Sequence, residues 1–199
     1  MIIHPDDMFL VKEVLWPRVQ LYSKQVEIIE STFTNRETYV VAGNQLGKDF
    51  VAGFIALGAF VVCLHHNITC RIVTTSVAEH HLKVLWGEIG RYLTTSAQPL
   101  MYNKGGPLMV NYQEVRRHNE ADAKNPTNYL VGRVSAKGEG LAGHHAQFTL
   151  FIGDEASGLD DQAYEMAQGW AKHMLFISNP NQTTNFFKRG VKAGDMVAT

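Results

Sequence analysis

A glycine–lysine pair joins a strand-like segment to a long apolar run, and this junction limits the folds open to the chain. Residues 38–42 (TYVVA) are β-branched and aromatic, which predicts a short strand. Residues 50–64 (FVAGFIALGAFVVCL) form an uncharged run of 15 residues, shorter than the roughly 20 needed to cross a bilayer. Because the run is apolar on every side, it predicts a helix buried deep in a large core.

The junction itself is similar to a phosphate-binding loop. Such loops follow G-x-x-x-x-G-K-[ST], in which backbone N–H groups cradle phosphates, the lysine reaches them and the hydroxyl holds Mg²⁺. Here Gly47 and Lys48 are in place, whereas Ala42 replaces the first glycine and Asp49 replaces the hydroxyl. An ordinary turn that begins a helix is the alternative. The residues predicted to bind a nucleotide are Gly43, Asn44, Gln45, Leu46, Gly47, Lys48 and Asp49.

Strand-like and helical segments alternate along most of the chain. Further strands are predicted at 70–75, 128–135, 148–153 and 173–178, and helices at 77–92 (capped by Ser76) and 161–171. The region 100–118, interrupted by Gly-Gly-Pro, indicates a β-hairpin or an inserted loop. The alternation predicts a three-layer α/β fold with a mostly parallel central sheet and ligands at the carboxyl ends of its strands. A chain of 199 residues is expected to form one domain.

Two adjacent acids follow the predicted strand 148–153, in the motif LFIGDEAS. In phosphoryl-transfer sites the first acid, here Asp154, orients Mg²⁺ and its waters, while the second, Glu155, polarises the attacking water. A surface loop that begins with Asp-Glu is the alternative. The glycine–lysine unit upstream in the same chain favours the catalytic interpretation.

The last predicted strand ends in FISNPNQTTNFF, which places a hydroxyl and an amide at the ligand edge of the sheet. Ser178 and Asn179 are therefore predicted to sense the γ-phosphate, with an ordinary turn as the alternative. Near the amino terminus, Gln25 has the paired donor and acceptor that could read an adenine edge, together with Tyr22. A short helix capped by Ser23 would explain that segment without a ligand.

Composition and the remaining polar residues add few constraints. Lysine and arginine number 18 against 19 acidic residues, so the net charge of −1 argues neither for nor against a nucleic-acid partner. Adjacent histidines recur at 65–66, 80–81 and 144–145 without metal-ligand spacing, which favours loop and surface positions. Residues 116–118 (RRH) could contact phosphates or simply form a charged loop. Cys63 and Cys70 are expected to be reduced core thiols.

In their order and spacing, GNQLGKD, LFIGDEASGLDD and FISNPNQTTNFF resemble the ATPase domain of the large terminase subunit, the motor that packages DNA in tailed bacteriophages. The resemblance extends over residues 16–187 and is most specific in GEGLAGHHAQFTLFIGDEASGLDDQAYEMAQG. It implies a P-loop ATPase of the ASCE (RecA-like) type that uses ATP and Mg²⁺. The chain is then expected to be a single N-terminal ATPase domain, residues 1–199, without the C-terminal nuclease domain of full-length members.

The resemblance assigns roles by position. It implies that Lys48 binds phosphates, Asp154 serves Mg²⁺ and Glu155 is the catalytic acid. It also implies that Ser178 and Asn179 form the coupling motif, while Tyr22 and Gln25 fall where adenine is read.

Two departures from the family pattern lead to further predictions. Asn44 and Gln45 stand where many members carry an arginine, so Arg133, or an arginine from a neighbouring subunit, is expected to neutralise charge in catalysis. Asp49 replaces the usual hydroxyl. A carboxylate there is expected to repel metal-free nucleotide and to help Asp154 hold Mg²⁺, giving a working but unusually metal-dependent site.

The resemblance also implies the biological setting. It implies a ring of identical subunits, a pentamer when docked on the procapsid portal and a monomer in isolation, that translocates double-stranded DNA with the small terminase subunit as a partner. The host cytoplasm is the expected location, with no role for a membrane.

Two other functions remain open from the sequence. DEAS is also similar to the acidic motif of DExx-box helicases, although a helicase needs a second RecA-like domain that 199 residues cannot hold. A catalytically silent nucleotide-binding assembly module is the other alternative, and the adjacent Asp154 and Glu155 argue against it.

Overall fold

An eight-stranded sheet organises the part of the chain that the computed structural model describes, which is residues 3–43, 47–120, 122–134, 143–179, 184–193 and the backbone of 196–198. The strands are β1 (Glu37–Val41), β2 (Cys70–Ser76), β3 (Leu108–Asn111), β4 (Glu114–Arg117), β5 (Tyr129–Val134), β6 (Phe148–Asp154), β7 (His173–Ser178) and β8 (Met196–Ala198). Their order is β3-β4-β5-β2-β6-β7-β1-β8.

The six neighbouring strands β5-β2-β6-β7-β1-β8 are parallel. The β3–β4 hairpin adds two antiparallel strands at the β5 edge. The helices are α1 (Pro5–Leu15), α2 (Ser23–Thr34), α3 (Lys48–His65), α4 (Glu79–Thr95), α5 (Asp161–Gln168) and α6 (Phe186–Ala193). Buried residues of α1 to α4 pack on one face of the sheet, and those of α5 and α6 pack on the other. The predicted three-layer, mostly parallel α/β fold is confirmed.

Helix α3 lies at the centre of the larger core, as its uninterrupted apolar run predicts. It is long and apolar enough to cross a membrane by length and composition alone, but 72% of that stretch is buried inside the protein. It packs closely against α4, where a Cβ on Gly53 would lie 3.0 Å from Glu88 Cβ and 3.3 Å from the Ile89 nitrogen. The core therefore fixes the position of the helix that begins at Lys48.

Several predicted boundaries are wrong, each for a local reason. Ser76 does not cap α4, because it pairs with Val134 as the last residue of β2, and the cap position belongs to Ala78. Ser23 is the first residue of α2 rather than its cap, which is Tyr22. Helix α5 ends at Gln168, before the predicted 171, because the chain turns to bury Trp170.

The region 100–118 contains the predicted hairpin, but the chain reverses later than the Gly-Gly-Pro break suggests. Strands β3 and β4 meet at Tyr112 and Gln113, and Tyr112 adopts a positive φ of 44°. The hydroxyl of Tyr112 donates a hydrogen bond to Glu79 in the first turn of α4, and Gln113 Nε2 donates to the same carboxylate at 3.2 Å. These contacts hold the hairpin turn against α4.

Two glycine-to-alanine substitutions in helices should change stability in opposite directions. Gly53→Ala places a methyl group against the α4 backbone and should lower the free energy of unfolding by about 1–3 kcal/mol. Gly87→Ala in α4 meets nothing within 4 Å and should raise it by about 0.5–1 kcal/mol, because alanine is the better helix former. Urea denaturation of both variants tests the packing, and a Gly53→Ala protein as stable as Gly87→Ala would contradict it.

Candidate active site

Three of the predicted site residues lie at the carboxyl edge of the sheet. Lys48 follows β1, Asp154 ends β6, and Ser178 ends β7, the strand that lies between β1 and β6. The edge where parallel strands end is also where α/β proteins bind their ligands.

Gly47 shapes the start of α3. It occupies the N-cap position with a positive φ of 72°, a conformation that suits glycine. A Cβ at Gly47 would lie 2.9 Å from Gln25 Nε2, so the side-chain amide of Gln25 is directly beside the loop. Gly43 is half-buried just after β1, and the predicted nucleotide contacts Asn44, Gln45 and Leu46 lie outside the described residues.

Lys48 joins the two acids of the LFIGDEAS motif. Its Nζ lies 2.5 Å from Glu155 Oε1 and 3.4 Å from Asp154 Oδ1. Only 8% of the surface of Lys48 and 3% of that of Asp154 is exposed. Three charged groups are thus gathered in a largely water-excluded place, where electrostatic interactions are strong.

The environment shifts the pKa values of these groups. Burial lowers the pKa of Lys48, but Asp154, Glu155 and Asp49 together raise it above its ordinary value, so the lysine is charged. Burial raises the pKa of Asp154 to about 6, and Lys48 only partly offsets this effect. Burial also raises the pKa of Asp49, with Lys48 and His81 lowering it and Glu155 adding to the rise. Asp49 therefore belongs to the same electrostatic cluster, which carries more acid than base.

Glu155 is held in an unusual backbone conformation. Its φ of 50° lies in the left-handed region, which costs a non-glycine residue about 1–2 kcal/mol. The loop after it is fixed by Ser178, whose Oγ accepts the Ser157 N–H at 3.2 Å and donates to Ser157 Oγ at 2.7 Å. Surrounding bonds thus impose the conformation that aims Glu155 at Lys48.

Asn185 was not predicted as a site residue, yet it holds the same loop. Its Nδ2 lies 2.6 Å from the carbonyl oxygen of Leu159 and 3.1 Å from that of Ala156. The sequence signal was the asparagine of TTNFF, within the motif FISNPNQTTNFF already singled out.

Ser178 and Asn179 differ in their surroundings. Met174 and Phe176 pack on the α5–α6 face, so Ser178, two residues further along β7, faces that side and away from Lys48. Its observed bonds serve the acidic loop. Asn179 Oδ1 is buried and has no hydrogen-bond partner in the described part of the protein, which leaves an acceptor for a ligand or water.

Of the two residues predicted to read adenine, Gln25 is buried and Tyr22 is exposed. Gln25 is 4% exposed, and its Oε1 accepts the Tyr22 N–H at 3.4 Å, a long hydrogen bond across the start of α2. Tyr22 itself is 45% exposed. The structure therefore brings Gln25 to the phosphate-loop side of the site and leaves the ring of Tyr22 largely at the surface.

Arg133 lies apart from the lysine–carboxylate cluster. It is exposed on β5, paired with Thr75 of β2, and it faces the same side as Val131, in the α5–α6 layer. Lys48 begins α3 on the opposite face. Arg133 is therefore directed away from the Lys48 cluster.

The residues present fit a magnesium-bound nucleotide. Asp154, Glu155 and Asp49 supply the anionic oxygens that Mg²⁺ prefers, and Asn179 Oδ1 is a buried acceptor, without a partner among the described residues, that follows the end of the neighbouring strand β7. No group of three or more His, Cys, Asp or Glu side chains in the described part of the chain is placed to hold a metal ion. Mg²⁺ commonly takes one or two protein carboxylates and fills the rest of its shell with phosphates and water.

The other candidate groups have structural settings. The rings of His80 and His81 on α4 are tilted by 40° with their centroids 4.0 Å apart, and the ring of His118 stacks on that of Tyr102 with centroids 3.4 Å apart. Arg116 pairs with Glu114 at 2.8 Å, so this part of the basic segment is an ion pair within the hairpin. Cys63 and Cys70 are buried and free, as expected.

Solved structures confirm the predicted resemblance at the level of the fold. The ATPase domain of the large terminase of Thermus phage P74-26 gives a TM-score of 0.64 at 20% identity, covering 94% of this chain and 74% of that chain. An arginine-to-alanine mutant of that domain gives 0.65 with the same identity and coverage. The large terminase of bacteriophage HK97 gives 0.60 at 13% identity, covering 100% of this chain and 43% of that chain. No protein-family model matches the sequence, and no curated protein matches it significantly.

The raised pKa of Asp154 predicts a pH dependence of stability. The unfolded chain releases this proton near pH 3.8 and the folded protein near pH 6, so the folded state holds an extra proton between these values. The free energy of unfolding should therefore fall, by up to about 3 kcal/mol, as the pH rises through that window in metal-free buffer.

Asp154→Asn should remove most of this slope in urea denaturation. Asp161→Asn is the control: Arg189 and the Phe186 N–H lower the pKa of Asp161, so its removal should leave the slope between pH 4 and 6 in place. A wild-type protein whose stability rises across the window would contradict the assignment.

Proposed function

We propose that this chain is the ATP-hydrolysing motor domain of a DNA-packaging terminase, which drives double-stranded DNA into a viral procapsid. The observation that carries the proposal is Lys48 at the start of α3, held between Asp154 and Glu155 at the carboxyl edge of the sheet. The likeness of the fold to phage large terminase ATPase domains supports it.

The geometry suggests how the site receives a nucleotide. The start of α3 offers backbone N–H groups and a positive dipole to phosphates, and the charge of Lys48 adds to both. The phosphates compete with the two carboxylates for the ammonium group. Binding therefore releases Glu155 from Lys48 and makes its carboxylate available for proton transfer.

In the hydrolytic step, Glu155 accepts a proton from the attacking water, and Lys48 stabilises the charge that develops on the transferred phosphoryl group. Asp154, with help from Asp49, would hold Mg²⁺, and the ion would supply charge neutralisation for the phosphates. Ser178 keeps the acidic loop in position through Ser157. Asn179 offers the attacking water its Oδ1, which has no partner among the described residues, and this contact would link hydrolysis to movement of the β7 end.

The partners of the proposed motor follow from its class and from Arg133. A ring of identical subunits on the procapsid portal would place Arg133 of one subunit against the nucleotide of the next. A catalytic arginine supplied in this way accelerates hydrolysis by about 10³ or more. The small terminase subunit and the host cytoplasm complete the proposed setting.

A nucleotide-binding module without catalysis is the second candidate. The two are separated by measuring thermal stabilisation by ATP with and without Mg²⁺, followed by phosphate release. A silent module shows the stabilisation and no release. The proposed motor shows both, slowly as an isolated monomer, and faster with portal, procapsid and DNA.

Glu155→Gln should separate binding from catalysis. The amide keeps the shape of the side chain and loses the general base, so ATP binding should persist while turnover falls by about 10² or more. Calorimetry and phosphate release measure the two effects. Lys48→Ala should lose binding itself, and Glu165→Gln, an exposed acid on α5, should change neither. Equal loss of binding and turnover in Glu155→Gln would assign Glu155 a structural role.

Asp49→Thr should make nucleotide binding less dependent on metal. Removing a carboxylate from the acidic cluster should strengthen metal-free ATP binding and reduce the stimulation by Mg²⁺. Asp6→Thr is a matched control, because Asp6 is the second residue of α1 as Asp49 is of α3. Identical metal-free affinities in wild type and Asp49→Thr would show that Asp49 points away from the phosphates.

A further inference from the structure

Ser76 is a fully buried residue at the end of β2. Its exposure is 0%, and its Oγ has no hydrogen-bond partner in the described part of the protein. Leaving a buried hydroxyl unpaired is energetically costly, so such groups are rare in native proteins and demand a reason.

The location of Ser76 supplies that reason. It is the last residue of β2, and β2 pairs in parallel with β6 through Thr75 and Gly153, so Ser76 and Asp154 are the next positions along the two strands. Ser76 therefore ends its strand directly beside the acid that ends β6.

Both side chains also face the same layer of the protein. Ile72 and Ile152 belong to the core beneath α3 and α4, and side chains two or four residues further along each strand face the same side. Thr74 confirms the direction for β2, because its Oγ1 accepts the Nε1–H of Trp86 from α4 at 3.0 Å. The hydroxyl of Ser76 thus lies on the face from which Lys48 reaches Asp154.

We propose that Ser76 is a positioning residue of this site, whose hydroxyl hydrogen-bonds to the hydration shell of the Mg²⁺ that Asp154 serves. A hydroxyl can donate and accept, so it suits metal-bound water as well as a phosphate oxygen in the same shell. The inference rests on the proposed nucleotide function. With Ser76, the end of β2 joins the ends of β6 and β7 around the proposed metal position.

The strongest competing explanation is a structural one, in which Ser76 supports the end of β2. The two explanations predict opposite effects of Ser76→Ala on the metal-free protein. A structural hydroxyl would lower the melting temperature when removed. An unpaired one should leave it unchanged or raise it, because the variant no longer buries an unsatisfied group.

The test is calorimetric titration of a non-hydrolysable ATP analogue into wild type and Ser76→Ala, with Mg²⁺ and with EDTA. Affinity in Mg²⁺ should fall about three- to tenfold in Ser76→Ala, the loss of one hydrogen bond, while affinity in EDTA stays the same. Ser76→Thr, which keeps the hydroxyl, should restore the response to metal.

Thr149→Val is the matched control, because Thr149 is also buried at the sheet but its Oγ1 donates to the carbonyl of Trp170 at 2.9 Å and accepts the Lys172 N–H at 3.0 Å. It should lower the melting temperature and leave the Mg²⁺ response of the remaining folded protein intact.

An equal loss of affinity in Mg²⁺ and EDTA, no loss in either, or a lowered melting temperature of metal-free Ser76→Ala would overturn the role of Ser76. A wild-type protein whose analogue binding does not respond to Mg²⁺ would instead overturn the proposed function itself. The wild-type titration therefore distinguishes the two failures.

Discussion

The buried contact of Lys48 with Asp154 and Glu155 is the interaction around which the site is built. A lysine in the first turn of a helix faces the positive end of the helix dipole, and burial adds a further cost. The carboxylates offset both costs, but an apolar residue would serve helix and core better. A buried lysine in the first turn of a helix thus departs from local sequence preference at the edge of the sheet where the polar groups lie. Such a departure is typical of a functional site.

The cluster is also unbalanced, and this explains the remaining polar features. With Asp49 it holds three acids and one base. Burial raises the pKa values of Asp154 and Asp49, the neighbouring Glu155 adds to the rise, and Lys48 opposes it only in part. A divalent cation would correct the imbalance. The left-handed backbone of Glu155 is energetically costly, and the buried oxygen of Asn179 has no hydrogen-bond partner in the described part of the protein. Each becomes reasonable when a metal-bound phosphate ligand completes the site.

Much of this arrangement was predictable from the sequence, because it depends on local pattern. The apolar run, the strand before Gly47 and the strand before Asp154 gave α3, β1 and β6 correctly, and the order of the motifs indicated the shared edge. What could not be predicted depends on tertiary pairing. The strand partner of Ser76, the direction of Ser178 away from Lys48 and the bonds of Asn185 to the acidic loop all follow from how distant segments meet.

The most direct test of the account is a crystal structure of the protein with Mg²⁺ and a non-hydrolysable ATP analogue. The account predicts the γ-phosphate against Lys48 Nζ, the metal ion beside Asp154, and Glu155 released from the lysine and turned towards the attacking water. An unchanged Lys48–Glu155 pair in a protein saturated with the analogue, or an analogue bound away from the start of α3, would contradict it.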